Sequence, residues 1–440
     1  MDIVNTKTLN FNSKFKINFN GGDLSSDTGL ILLKEFCYKL GIERLLETTF
    51  KTNDTACRQH TDDQNLLQVL YQIFGGYFKD DHADYLTYEP VITRILEKNS
   101  LASQPTLSRF FNRMDETTLK QLDDISKIVR KRVYSIKHPE NILLDLDSTL
   151  LETYGKQEGH AFNFHYQSIG YHPLLCFDGL TGDLLKIELR EGSAYSSTGV
   201  EEFMQPLLDE FLNDYSESKL FLRGDSGFTK PKLYKQCETN GVSYAIRLKE
   251  NKKLMKCASH LCDELAKITE KNHIDYAVVY GEFLYQASSW EYPRRVVCKV
   301  EKHTNQLVQM HTFVVTNMDS APQDVIKFYC KRGTMENYIK ECKNGFDFAA
   351  LSSSSEIVNS NRLQIRALAY NLFNYFKRLV LPANMRKQQI NTIRLALFKI
   401  AAKVVKASRY ITFKLCSSCP YIKEFYETLQ NIEMLEPKLE

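Results

Sequence analysis

The sequence predicts an α/β protein, a mixed sheet interrupted by a β-rich insertion and flanked by helical N- and C-terminal regions. Three observations lead there. Apolar residues recur at a helical period through residues 25–140, and at Asn141 the period drops to 2. The order then becomes helix–strand–helix–strand, until strand-like runs crowd between 250 and 320. Helical spacing returns afterwards, from about Ser360 to Lys414.

Residues 1–20 read as an extended arm. Ser25-Ser-Asp27 is a cap for a helix over Thr28–Leu40, and Asp63–Phe78 carries apolar residues at helical spacing. Ser103–Arg113 is a Ser/Thr-capped helix with Arg109, Asn112 and Arg113, which reads equally as a groove-entering helix and as a surface helix of a bundle. Strands follow at Ile142–Ser148, Phe162–Ser168, Tyr171–Phe177 and Asp183–Arg190, the last two joined by the turn Asp178–Gly182. Helix Val200–Tyr215, strand Lys219–Arg223, helix Lys230–Thr239 and strand Val242–Leu248 complete the alternation. A basic helix over Lys252–Lys267 leads into strands Tyr276–Val279, Gly281–Ser288, Arg294–Glu301 and Leu307–Val315, with Trp290 at a bend.

At 440 residues the chain is long enough for two to four domains, and 43% hydrophobic with 25% charged residues is an ordinary globular composition. The net charge of +3 says little, but its distribution says more. Residues 357–423 contain no Asp or Glu, yet hold Arg362, Arg366, Lys377, Arg378, Arg386, Lys387, Arg394, Lys399, Lys403, Lys406, Arg409, Lys414 and Lys423. A polyanion such as DNA or RNA is the natural partner of such a run, with an anionic membrane surface as the competing reading. No secretory leader is visible and no run of about 18 apolar residues occurs, so the reading is cytoplasmic. Eleven cysteines without framework spacing read as reduced thiols, and Cys416-Ser-Ser-Cys419 is a lone pair, too little for a zinc site.

The chemistry concentrates in carboxylates. Asp145 and Asp147 lie two apart on an apolar strand and so share a face, where like charges repel and burial is costly. A divalent cation is the simplest compensation, although Asp145 also reads as a strand-end surface residue. Leu220–Arg223 is a second apolar strand, ending at Gly224-Asp225. Tyr329–Lys343 reads as helix; at about 100° per residue, Tyr329, Arg332, Glu336 and Lys343 fall within roughly 60° of one another. Asp147, Asp225 and Glu336 are therefore candidate ligands of one or two Mg²⁺ or Mn²⁺ ions, two being the number that activates an attacking hydroxyl and steadies a leaving oxygen.

These motifs resemble those of DDE transposases of bacterial insertion sequences. Tyr329, Arg332, Glu336 and Lys343 match the Y-R-E-K signature; Asp147-Ser-Thr149 and Gly224-Asp225-Ser-Gly-Phe228 match the first- and second-Asp motifs. Tyr154–Gly159, Tyr171-His-Pro-Leu174 and Leu189-Arg-Glu-Gly192 are similar to the thirteen-eighty insertion-sequence family in particular. The gaps agree as well: 78 residues from 147 to 225, and 111 from 225 to 336, the longer one holding the insertion. The chain departs at Gly192-Ser-Ala-Tyr195, where relatives often carry Gly-x-x-His.

The resemblance implies an RNase H-like core. It implies a helical DNA-binding region at 1–140, core at 141–249, β-rich insertion subdomain at 250–320, core with its catalytic helix at 321–356, and a basic helical region at 357–440. Asp147, Asp225 and Glu336 would be the catalytic, metal-ligating residues. Tyr329, Arg332 and Lys343 would touch DNA backbone, and Trp290 would steady a flipped base unless it is a core residue. The partners implied are terminal inverted repeats, target DNA and a second copy of the chain in the paired complex, with no membrane. Two rivals stand beside this reading. Asp145-x-Asp147-x-Thr149 is also the opening motif of haloacid-dehalogenase-like phosphatases, where Asp145 would be the nucleophile. A DNA-binding relative that has lost catalysis is the other.

Overall fold

The computed structural model describes residues 6–272, 276–303 and 308–439. The start of the expected arm (1–5) and Leu307, first residue of the last expected inserted strand, lie outside the described residues. The chain divides into two compact units. One comprises residues 1–137, 341–351 and 357–440, the other residues 138–340 and 352–356.

The first unit is mainly helical. A short ladder pairs β1 (Lys7–Thr8) with β2 (Lys16–Ile17), and β3 (Leu24–Ser25) follows. Seven helices come next: α1 (Leu30–Lys39), α2 (Ile42–Thr49), α3 (Asp62–Gly75), α4 (His82–Tyr85), α5 (Pro90–Ile95), α6 (Gln104–Phe111) and α7 (Glu116–Ile136). Helix α7 starts at a capping box, in which Asp115 accepts from the Thr118 N–H and Thr118 Oγ1 from the Asp115 N–H. On α6, Leu107, Phe110 and Phe111 face the core. Arg109 is exposed, whereas Arg113 is tied to Asp62 at 2.6 Å.

The second unit is built on one eight-stranded mixed sheet. Its strands are β4 (Asn141–Ser148), β8 (Leu174–Asp178), β9 (Leu184–Glu188), β10 (Lys219–Gly224), β11 (Ser243–Leu248), β12 (Tyr276–Tyr285), β13 (Arg294–His303) and β14 (Met310–Thr316). A separate small sheet joins β5 (Leu151–Glu152), β6 (Ala161–Asn163) and β7 (Ser168–Tyr171). The order across the large sheet is β12-β13-β14-β11-β10-β4-β8-β9. Among the described residues of this sheet, only β4–β10 and β10–β11 are parallel. Helices α8 (Val200–Asp214) and α9 (Pro231–Thr239) make the crossovers that parallel pairing requires.

Two expectations change here. The strands of residues 250–320, expected as a β-rich insertion subdomain, continue the central sheet: β14 pairs with β11 and carries β13 and β12 on as its edge. Helices α10 (Lys252–Cys257) and α11 (Ser259–Asn272) precede them, and β12 runs unbroken through Gly281. A Cβ at Gly281 would strike the Leu261 side chain of α11, so the missing side chain lets the helix lie close on the strand.

The C-terminal region is the second change. Expected to be helical to Lys414, it holds α14 (Glu356–Leu379) and α15 (Ile390–Ile393), then turns into a hairpin of β15 (Ala402–Lys406) and β16 (Ile411–Leu415), and ends in α16 (Ile422–Glu433). The hairpin adds to β3 in the order β16-β15-β3. Ala402 and Val404 are buried while Lys403 between them is exposed, the period of a strand.

Candidate active site

Strands β4 and β10 are parallel neighbours, with Arg223 directly opposite Asp145. Both side chains are buried, and Arg223 grips Asp145 through Nε and Nη2 at 2.6 Å each. Arg223 Nη1 also donates to the Phe328 carbonyl at 2.6 Å. Gly179 leaves room for this pair, since a Cβ there would collide with the Asp145 carboxylate. The expectation of a surface position for Asp145 is thus corrected: it is a buried, fully partnered carboxylate, and its bidentate commitment to Arg223 removes it as a source of free metal ligand atoms.

Two residues further along the same strands come Asp147 and Asp225. Each is half-buried at a strand's carboxyl end. This is the place where open α/β sheets present ligand sites, and β4 is a switch point, with a parallel neighbour on one side and antiparallel β8 on the other. Asp225 caps a 3₁₀ turn (Ser226–Phe228) by accepting from the Gly227 N–H at 2.8 Å. Asp147 accepts from the Ser148 N–H at 2.9 Å. Burial, and then the like charge of Asp225, push the Asp147 carboxyl up; Arg332 and the Ser148 N–H pull the other way.

Arg332 reaches this pair from a 3₁₀ turn (Lys331–Thr334) between α12 (Pro322–Cys330) and α13 (Met335–Phe346). Its Nη2 lies 3.0 Å from Asp147 Oδ2 and donates to the Leu146 carbonyl at 2.9 Å. Burial works to lower the guanidinium, but Asp147 and Asp225 outweigh it and hold the net shift upward. Its Nε is buried and has no hydrogen-bond partner among the described residues. Tyr329, one turn earlier, packs on the apolar cluster of Ala245, Val297, Val314, Val325 and Ile326. Burial raises its hydroxyl, with Arg332, Arg247 and Asp225 as its charged neighbours.

The family assignment matches this arrangement. Residues 7–437 fit the model described as transposase DDE domain group 1. The chain belongs to that family. No curated protein matches it. Among solved structures, a cryo-EM structure of a piggyBac transposase synaptic complex with hairpin DNA matches at 13% identity, over 84% of this chain and 80% of that one. Its TM-score is 0.39, so it assigns nothing here. For a transposase, the phosphatase reading of Asp145-x-Asp147 falls away, in keeping with an Asp145 too enclosed to act as a nucleophile.

The other motif residues of this transposase are placed as follows. Glu336 is exposed in the first turn of α13, because the 3₁₀ turn around Gly333 breaks the continuous helix expected across 329–343. Among the described residues, no three His, Cys, Asp or Glu side chains lie close enough to hold a metal ion. Asp147 and Asp225 offer the hard oxygen donors that Mg²⁺ takes from protein before completing its shell with water and phosphate. Lys343 sits in the last turn of α13, half-buried.

Trp290 is not a surface residue. It is 5% exposed and edge-on to Tyr234 and Tyr285, with the Arg294 guanidinium over its ring. Enclosed like this it packs the core and has no open face for a base. The motifs did not point to Tyr166 or Arg247. Tyr166 lies in the turn between β6 and β7, where burial and then Asp147 and Asp225 raise its hydroxyl. Arg247 stands on β11 as a charged neighbour of Tyr329. Neither has a local sequence signal; sheet order alone brings them near.

Proposed function

We propose that the chain is the transposase of a bacterial insertion sequence of the thirteen-eighty family, binding the element's terminal inverted repeats and cutting and joining DNA through Asp147, Asp225 and Glu336. The observation carrying this is the meeting of Asp147 and Asp225 at the ends of two parallel strands with Arg332 between sheet and helix. The parallel β4–β10–β11 core with antiparallel β8 and β9 beside it supports an RNase H-like reading.

Mg²⁺ or Mn²⁺, as one ion or two, would be held by Asp147 and Asp225 together with DNA phosphate oxygens, and would supply a Lewis acid for phosphodiester attack. The protein's own groups do the positioning. Asp225 is fixed by its turn and Asp147 by the Ser148 N–H. Arg332 holds Asp147 through Nη2 and puts a positive charge beside the carboxylate pair. Glu336 follows the Gly333 turn, so closing that turn on DNA is what would bring the third carboxylate to the pair. Tyr329 and Lys343 are proposed backbone contacts. Because both element ends must be held together, the active form is a homodimer.

The test uses a labelled duplex carrying the terminal repeat, with Mg²⁺ or Mn²⁺. The wild type should nick it, and Glu336→Gln should bind equally well but leave it intact. Equal cleavage by the variant, or none by the wild type, refutes the proposal.

A further inference from the structure

The cations of residues 357–423 divide by what they touch. Arg362 pairs with Asp80 at 2.7 Å and Lys399 with Asp27 at 2.5 Å. Arg366 and Arg394 are buried and donate to backbone carbonyls. These four belong to the scaffold. Lys403, Lys406, Arg409 and Lys414 are all exposed, and all lie on the β15–β16 hairpin.

Register fixes how they are displayed. Lys403 stands directly opposite Lys414, Val405 opposite Thr412 and Lys406 opposite Ile411. The Ala407 N–H donates to the Tyr410 carbonyl at 2.9 Å, closing a two-residue turn that carries Arg409 at the tip. Alternation places Tyr410 on the Lys403–Lys414 face and Lys406 on the other. The ribbon is thus positive on both faces and at its end, and Tyr410, 72% exposed, has no core role.

Two lysines facing each other across strands destabilise the bare pair. Lysine on an edge strand is often explained as protection against pairing with other chains. That accounts for Lys414 on edge strand β16 but not for Lys403, which is paired on both sides, to Lys414 and to Leu24 of β3. What compensates opposed cations is an external polyanion, and a two-stranded ribbon is a shape the major groove of a duplex admits.

We propose that the β15–β16 hairpin is a DNA-contacting ribbon, entering a groove so that Lys403, Lys406, Arg409 and Lys414 reach phosphates while Tyr410 packs at the groove wall. This rests on the reading of the chain as acting on DNA.

The experiment measures binding of the full chain to a fluorescent random-sequence duplex across a salt series, and to phosphatidylserine vesicles. Replacing all four cations by Gln should cut the slope of log affinity against log salt by about 3 to 4, near 0.9 for each phosphate contact. Should that variant fold poorly, Arg409→Gln with Tyr410→Ser alters only the tip and should cut the slope by about 1. A folded variant with the wild-type slope overturns the proposal. So does vesicle binding that is lost in the variant while DNA binding stays. A wild type that binds no duplex at all removes the underlying transposase reading, a different outcome from an unchanged slope.

Discussion

Asp145 and Asp147 carry the same signal in the sequence, two carboxylates two apart on one strand, yet they meet opposite fates. What separates them is Arg223, 78 positions away in the chain and directly across the β4–β10 ladder from Asp145. Asp178, at the end of β8, shows another kind of buried carboxylate. Burial, and then the nearby Asp183, push it up to about 6, despite bonds from Thr181 Oγ1 and the Leu180 N–H. A carboxyl raised in the folded state stabilises fully below its ordinary value near 3.8, and that stability is lost as pH rises through about 6. The wild type should therefore lose roughly 3 kcal/mol from this group between about pH 4 and 6. Asp178→Asn should flatten that part of the profile. Urea unfolding at several pH values checks it; parallel profiles for the two proteins would refute it.

At the scale of elements, most of the sheet was legible. Strands β4, β8, β9, β10 and β11 lie where short apolar runs place them, and the runs of β4 and β8 are near-continuous because both faces of a central strand demand apolar residues. Asp147 and Asp225 stand out for the same reason, being polar residues at the ends of such runs. The β15–β16 hairpin was not, since its alternation covers only five residues inside a long cationic stretch. Nor was the 3₁₀ break at Lys331–Thr334; one glycine in a helical pattern does not announce a change of helix type. The acid-free run itself was misleading. Some of its arginines serve backbone carbonyls, which leave no charge signature. Arg394 donates to the carbonyls of Ile73 and Phe74, in the last turn of α3, and of Gly345, at 2.7–2.8 Å. Burial brings its guanidinium down to about 10, still charged at neutral pH. Arg394→Met strands three buried acceptors and should cost about 3–5 kcal/mol. A loss under about 1 kcal/mol in urea unfolding would show that water replaces the arginine.

At the scale of the whole molecule, the first unit is assembled from three separated stretches of chain. Thr118 on α7 donates to Asn361 on α14 at 2.8 Å, and Arg362 joins α14 to Asp80 while lying over the Phe111 ring. Residues 1–137 alone lack these partners, and the carbonyls at the end of α3 lose the Arg394 guanidinium as well. Expressed by themselves they should melt without a cooperative transition, as followed by circular dichroism. A sharp, reversible melt would mean that the N-terminal helices suffice. Among the described residues no helix is long and apolar enough to cross a membrane.

That interrupted connectivity has a consequence during synthesis. A ribosome releases all of the second unit before residues 357–440, and the helices made earlier still wait for those residues. The earliest-born part of the polypeptide is thus among the last to be completed. A message cut short near its end would yield a chain with an intact pair of strand-end aspartates and an unfinished first unit.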